Sequence, residues 1–155
     1  MSETSSPVKI VSENRKARFN YHILEEFEAG IVLTGAEIKS IRKHGITLQE
    51  SYVRPMNGEI FLVGAHIQPY EFDTSKTFDP TRFRKLLLHA EEINKLRGRV
   101  EQKGLTIVPL KLYLKRGKAK LLIGLARGKE NVDKRDSIKA RDAKREADRA
   151  MKKNR

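Results

Sequence analysis

LTIVPLKLYLKRGKAKLLIGLA, residues 105–126, decides how the chain is read. Leu105 to Leu114 and Leu121 to Ala126 are two β-rich runs, with Arg116-Gly117 as the turn signal between them. Such a pattern predicts a hairpin. Pro109 has no backbone N–H to donate, so its place inside the first run predicts an edge strand or a strand beginning. A second hairpin is written upstream as Tyr52-Val53-Arg54, then Asn57-Gly58, then Ile60-Phe61-Leu62-Val63. Asn-Gly is the favoured two-residue turn because both residues accept a positive φ. Phe19, Tyr21 and Ile23 alternate with Asn20 and His22, which predicts a half-buried strand. Gly30-Ile31-Val32-Leu33 is a further β-rich run.

Two helices interrupt these strands. The first is predicted from about Ala36 to Lys43, with Ile38 and Ile41 on one side and Gly45 as its stop. The second is predicted from about Ala90 to Lys103, where Ile93, Leu96 and Val100 recur at helical spacing before Gly104. Many short strands with few helices imply a mainly β fold: a small antiparallel barrel, closed or partly closed, with flanking short helices. The oligonucleotide-binding (OB) barrel is the common nucleic-acid version at this size. A sandwich shares the same periodicity.

Composition divides the chain of 155 residues into three. Residues 1–8 are polar and read as a disordered arm. Residues 9–128 hold all ten aromatics and form the barrel. Residues 129–155 carry eleven basic against six acidic side chains, and only the thin apolar line Ala143, Ala147 and Met151. That line buries too little area to hold a lone helix in water. The tail is therefore expected to be disordered alone and to become helical on a polyanionic surface. The formal net charge is +13, which draws polyanions. There are no cysteines, hence no disulfide framework or thiolate metal site. With neither a signal-peptide pattern nor an apolar run of membrane length, a cytoplasmic protein is expected.

Enzyme signatures are missing: there is no Walker loop, no nucleophile elbow and no two-His zinc helix. His22, His44, His66 and His89 lie far apart in sequence. Glu25-Glu26 and Glu91-Glu92 are neighbours that point in different directions, which suits solvated charges better than an acid/base pair. The informative pattern is basic. Arg15-Lys16-Ala17-Arg18 enters the first predicted strand, and Lys39 and Arg42 share a helix face. Arg82, Arg84 and Lys85 precede Leu86-Leu87-Leu88, and Lys111, Lys115, Arg116, Lys118 and Lys120 surround the second hairpin. These clusters on a barrel, followed by a basic tail, are an RNA-binding footprint. Aromatics are few and sit mostly at alternating core positions, which favours folded RNA read by shape and backbone over single strands read by stacking.

An ordered set of segments resembles the SsrA-binding protein family. These are Asn14-Arg15-Lys16-Ala17-Arg18 with Tyr21, Phe27-Glu28-Ala29-Gly30-Ile31, and Glu37-Ile38-Lys39-Ser40-Ile41-Arg42. Asp79-Pro80, Arg84-Lys85-Leu86-Leu87-Leu88-His89, Gly104 to Tyr113, Gly124 to Lys129 and Asp133-Lys134-Arg135 follow in order. The resemblance implies an OB-like barrel without enzymatic activity, cofactor or metal. It implies binding to the tRNA-like domain of tmRNA, which is charged by alanyl-tRNA synthetase, carried by elongation factor Tu and delivered to stalled ribosomes. The protein would act as a monomer filling the volume of the missing anticodon arm, and its tail would occupy the decoding centre and empty mRNA channel of the small subunit. The incomplete peptide is then tagged for degradation.

Carried over residue by residue, the tmRNA-binding positions implied are Asn14, Arg15, Lys16, Arg18, Glu28, Lys39, Arg42, Leu87 and His89. The ribosome-binding positions implied in the tail are Asp133, Lys134, Arg135, Ile138, Lys139 and Arg141. An ion pair between Glu28 and a nearby Arg is the competing reading of that carboxylate. Leu87 alternates with Leu86 and Leu88, so one of the two sets must face outward. The chain departs from the family pattern at Val132, where an aromatic is usual, and over Phe72 to Phe78. The alternatives are a generic single-strand-binding barrel, a ribosomal protein, and a small RNA-cleaving enzyme that uses the histidines.

Overall fold

The computed structural model describes residues 8–73, 78–102 and 104–129, together with Arg145. In chain order the elements are β1 (Val8–Glu13), α1 (Arg15–Asn20), β2 (Tyr21–Ile31), α2 (Gly35–His44), β3 (Tyr52–Met56), β4 (Glu59–Val63), β5 (Arg84–Leu87), α3 (Ala90–Val100), β6 (Leu105–Lys115) and β7 (Lys118–Gly128). Every strand pairing is antiparallel. Strands β6, β3, β4, β5, β2 and β7 neighbour one another in that order, and β7 returns to β6. The sheet therefore closes into an OB-like barrel, with β1 laid on the edge of β6 beyond β3.

Both predicted hairpins form. Asn57 and Gly58 have φ of 51° and 78°, and Arg116 and Gly117 have 53° and 75°, the left-handed pair that matches the twist of the flanking strands. Helix α2 follows the prediction and ends on Gly45. Helix α3 is shorter than predicted and stops at Val100.

Two expectations change. Phe19 and Asn20 belong to the last turn of α1, not to a strand. Asn14 forces the turn: its N–H donates to Leu110 O at 2.7 Å and its Nδ2 donates to Pro109 O at 2.9 Å. Pro109 lies in mid-strand, paired with Ile123, because Leu110 beside it bulges out of register. The bulge frees the two carbonyls that Asn14 takes, and a bulge is where a sheet tolerates proline. Strand β1, which local pattern does not announce, carries no core alternation. Val8 and Ile10 are half exposed, and the strand forms to satisfy the edge of β6 that β3 leaves open.

One cluster of side chains fills the barrel, including Ile60, Leu62, Ile107, Leu112, Leu121, Ile123 and Leu125, with Ile41 of α2 and Leu96 of α3 added from the helices. Residues 107–110 are buried on both sides, because Ala17 of α1 packs on Val108, Leu110 and Ala126 outside the barrel. Gly124 lies where a Cβ would meet Ile23 at 3.0 Å and Leu110 at 3.2 Å. A side chain there would separate the two bulged strands from β7.

A buried ion pair joins the helix to the sheet. Arg84 is fully buried, and Glu37 is 2% exposed. Arg84 Nε donates to Glu37 Oε2 at 2.8 Å. Nη1 donates to the carbonyls of Ala65 and Arg82, and Nη2 to those of Asp79 and Pro80. All five guanidinium N–H groups are thereby satisfied. Glu37 Oε1 accepts from Arg82 Nη2 at 2.6 Å and from Thr34 N–H at 2.9 Å. Thr34 Oγ1 in return caps α2 by accepting from Glu37 N–H, a reciprocal capping box. Burial pushes the Glu37 carboxyl up, but the bonds from Arg82 and Thr34 and the charge of Arg84 outweigh it and hold the pKa below the usual value.

Because the folded pKa is depressed, the stabilisation by Glu37 is complete above the usual carboxylate range and is lost as pH falls through the lower folded value. Glu37→Gln leaves Arg84 buried without its countercharge, which is expected to cost about 3–5 kcal/mol at pH 7. In denaturant titrations, the gap between this variant and the wild type should narrow as pH falls below the usual Glu range. A gap that stays constant down to about pH 3, below the usual carboxylate range, would show that the carboxylate charge is not its source.

Candidate nucleic-acid interface

The outer surface of β2, β7 and β6 gathers basic groups because strand periodicity places alternate residues on one side. On β6 this side carries Lys111, Tyr113 and Lys115; on β7 it includes Lys120 and Leu122; on β2 it carries the carboxylates Glu26 and Glu28. The register sets Glu28 opposite Leu122, Leu122 opposite Lys111, and Lys120 opposite Tyr113. Tyr113 OH donates to Glu28 Oε2 across β7. Lys115 Nζ lies 3.8 Å from the same oxygen, and Lys111 Nζ lies 5.8 Å from the centroid of the Tyr113 ring. Burial, then the bond to Glu28 and its charge, push the Tyr113 hydroxyl well above its usual pKa. It therefore remains a donor and fixes the carboxylate. The partners of Glu28 are thus a tyrosine and a lysine, where the sequence suggested an arginine. Tyr113 alternates with Lys111 and Lys115 and so shares their side of β6, but its ring is buried there.

Helix α1 extends this face at one end. Arg15, Arg18 and Lys111 line one shallow concavity with Asn14. The Arg15 side chain is 92% exposed and lies 3.5 Å from Glu13. Arg18 Nη2 donates to Glu26 Oε1 at 2.7 Å. Lys16 is exposed beside a second concavity, lined also by Asn20, Tyr21 and Tyr52. Asn14 is buried, and its amide is spent on Pro109. Its role in the fold is to position the Arg15–Arg18 block.

At the other end, Gly30, Ile38, Leu87, Leu114, Lys118 and Lys120 line a broader concavity. Leu86 is buried and Leu87 is 53% exposed, so the outward set is the one containing Leu87. Arg42 lies one helical turn beyond Ile38, in a concavity with Lys9, Ile10 and Leu114. His89 is exposed at the head of α3, where its N–H donates to Glu92 Oε1 at 3.1 Å. Lys39 is exposed on α2 with its Nζ over the Tyr70 ring. The structure thus groups Arg15 and Arg18 with Lys111, Glu28 with Tyr113 and Lys115, and Leu87 and Arg42 in two concavities that meet at Leu114, while Lys39 turns to Tyr70.

The predicted cluster Arg82, Arg84 and Lys85 is not a basic patch. Arg84 is inside the fold, Arg82 is held by Glu37, and Lys85 Nζ pairs with Glu59 at 3.0 Å. The four histidines sit on separate segments: β2, the end of α2, a bridge to Thr47, and the head of α3. No cluster of three or more His, Asp or Glu suited to a metal occurs among the described residues. No helix among them is long and apolar enough to cross a membrane. The tail positions Asp133, Lys134, Arg135, Ile138, Lys139 and Arg141 lie outside the described residues.

The family model described as "SmpB protein" matches residues 11–153. This chain belongs to the SmpB family. The SsrA-binding protein of Shouchella clausii is 56% identical over 98% of this chain and 97% of its own length. The SsrA-binding protein of Thermosynechococcus vestitus is 56% identical over 94% of this chain and 96% of its own. A solved chain from the structure described as "tmRNA-SmpB: a journey to the center of the bacterial ribosome" superposes with a TM-score of 0.65. It is 49% identical and covers 83% of this chain and 94% of that one. The SmpB match extends from the barrel through the tail, so both predicted RNA-binding regions lie inside the family.

Charge reversal at Arg15→Glu and Lys16→Glu should leave stability within about 0.5 kcal/mol, because both side chains are exposed. Affinity for a structured RNA should fall, and the slope of log affinity against log salt should shrink by roughly 1 for each phosphate no longer neutralised. Unchanged affinity and slope in a fully folded double variant would remove the α1 block from the interface.

Proposed function

We propose that this protein binds tmRNA through the barrel face and brings it to stalled ribosomes, so that the ribosome is released and the incomplete peptide is tagged. The observation that carries this reading is the near full-length SmpB-family match, which includes a chain from a tmRNA–SmpB ribosome structure. On this reading the protein acts by binding, as a monomer in the cytoplasm, and needs no cofactor. Arg15, Lys16, Arg18, Arg42 and the lysines of β6 and β7 meet RNA phosphates. Lys39 and His89 contact the same RNA, Glu28 accepts from a base or ribose, and Leu87 packs on a sugar or base face.

The tail contributes separately. Its balance of eleven basic to six acidic residues suits the RNA walls of the decoding centre and the empty mRNA channel. Asp133, Lys134, Arg135, Ile138, Lys139 and Arg141 would position it there. The RNA arrives aminoacylated by alanyl-tRNA synthetase and carried by elongation factor Tu.

A chain ending at Gly128 should keep most of its affinity for the tRNA-like domain and lose peptide tagging on stalled ribosomes. The same barrel should prefer that domain over duplex and single-stranded RNA at matched salt. Equal binding to all three RNAs would refute a specific tmRNA site. Equal loss of binding and tagging on truncation would place the tail in the tmRNA site instead.

A further inference from the structure

The loop after β4 holds the most exposed large apolar side chain among the described residues. Phe72 is 71% exposed, more than Leu87 at 53% or Phe83 at 49%. A ring so exposed adds little to the core. Its surroundings nevertheless hold it in place. The Tyr70 ring meets it edge-on, with centroids 5.5 Å apart and an interplanar angle of 66°. Lys43 Nζ lies 5.7 Å from the Phe72 centroid, and Lys39 Nζ lies 5.7 Å from that of Tyr70. Lys43 also pairs with Glu71. Lys39 and Lys43 are four residues apart on α2, so one helix face carries both cations over both rings.

We propose that Tyr70 and Phe72, steadied against α2, form a stacking platform for an unpaired nucleobase of the tRNA-like domain of tmRNA, with Lys39 on an adjoining phosphate. This rests on the tmRNA reading above and adds a contact to it. A flat ring set among cations matches a base flanked by phosphates. A protein groove would instead surround the pair of rings with further apolar side chains, whereas here Lys43 lies over Phe72, Lys39 lies over Tyr70, and Glu71 pairs with Lys43. The occupant is an unpaired base because a duplex hides its base faces in the stack. The RNA is the one already on the barrel because Arg42 and Lys43 line a concavity that meets, at Leu114, the one holding Leu87. An RNA held there reaches the Tyr70–Phe72 pair by crossing α2.

The test titrates full-length protein with the transcribed tRNA-like domain by fluorescence anisotropy over a range of salt, with thermal melts to confirm folding. Phe72→Ala should weaken binding about tenfold, the scale of one base–aromatic stack, without changing the salt slope. Phe72→Tyr should bind within about twofold of wild type, and Phe72→Leu should resemble Phe72→Ala. Wild-type affinity in Phe72→Ala overturns the platform while leaving the tmRNA reading standing. Wild-type affinity in Phe72→Leu alone overturns stacking in favour of apolar contact. Unchanged RNA affinity with lost tagging assigns the ring to a protein partner and also overturns the proposal. If the unsubstituted protein fails to bind the RNA, the tmRNA reading falls and takes this inference with it.

Discussion

The Glu37–Arg84 ion pair fixes where the first long helix stands on the barrel. Arg84 starts β5 with its side chain inside, and every N–H of its guanidinium is committed: one to a carboxylate on α2 and four to carbonyls at positions 65, 79, 80 and 82. Taking two charges out of water is costly, and a buried pair repays it only when geometry and hydrogen bonds are complete. Here they are, and the consequence is positional. Glu37 cannot leave Arg84 without stranding a buried charge, so α2 keeps one angle and one register against β5. Ile38 and Arg42 then come to the side that faces Leu87 and Leu114, and Lys39 and Lys43 come to the side that faces Tyr70 and Phe72.

The opposite wall is fixed by bulges. Strand β7 runs unbroken while β2 gains a residue at Leu24 and β6 gains one at Leu110. Each extra residue bends its strand and increases the local twist, which lets a small sheet close on itself. Gly124 lies between the two sites and keeps them in contact with β7. The carbonyls released at Pro109 and Leu110 are taken by Asn14, and this turns the chain into α1. The bulge that closes the barrel is therefore also what carries Arg15 and Arg18 to the end of the basic face. The placement of Arg15 and Arg18 therefore depends on a buried asparagine.

Much of the surface was legible because strands alternate. Lys111, Tyr113 and Lys115 are two apart, as are Lys118 and Lys120, so each set had to share a side. The Leu86/Leu87/Leu88 alternation likewise required an inward and an outward set, and only the β4–β5 and β2–β5 registers decided which was which. Misreadings arose where tertiary contacts overrode local pattern. Phe19, Tyr21 and Ile23 kept a period of two across a helix boundary, because Tyr21 and Ile23 pack with Ala17 from outside the barrel. Arg84 looked like one more surface cation, since nothing local tells a buried arginine from a solvated one when its carboxylate is 47 residues away.

The sequence by itself determined the two hairpins, helix α2 with its glycine stop, the mainly β class and the attraction to polyanions. Each depends on residues close in the chain or on composition: turn glycines that accept positive φ, a period of two or 3.6, and a net charge of +13. Only the tertiary structure decided that the sheet closes, that Pro109 sits in mid-strand, that Arg84 is structural, and that Tyr113 holds Glu28. It also set Phe72 beside Tyr70 and Lys43, with Lys39 over Tyr70, in a loop where no local pattern announces the grouping. Each of these depends on partners far apart in sequence, and the burial, charge pairing and register that select those partners exist only once the barrel has closed.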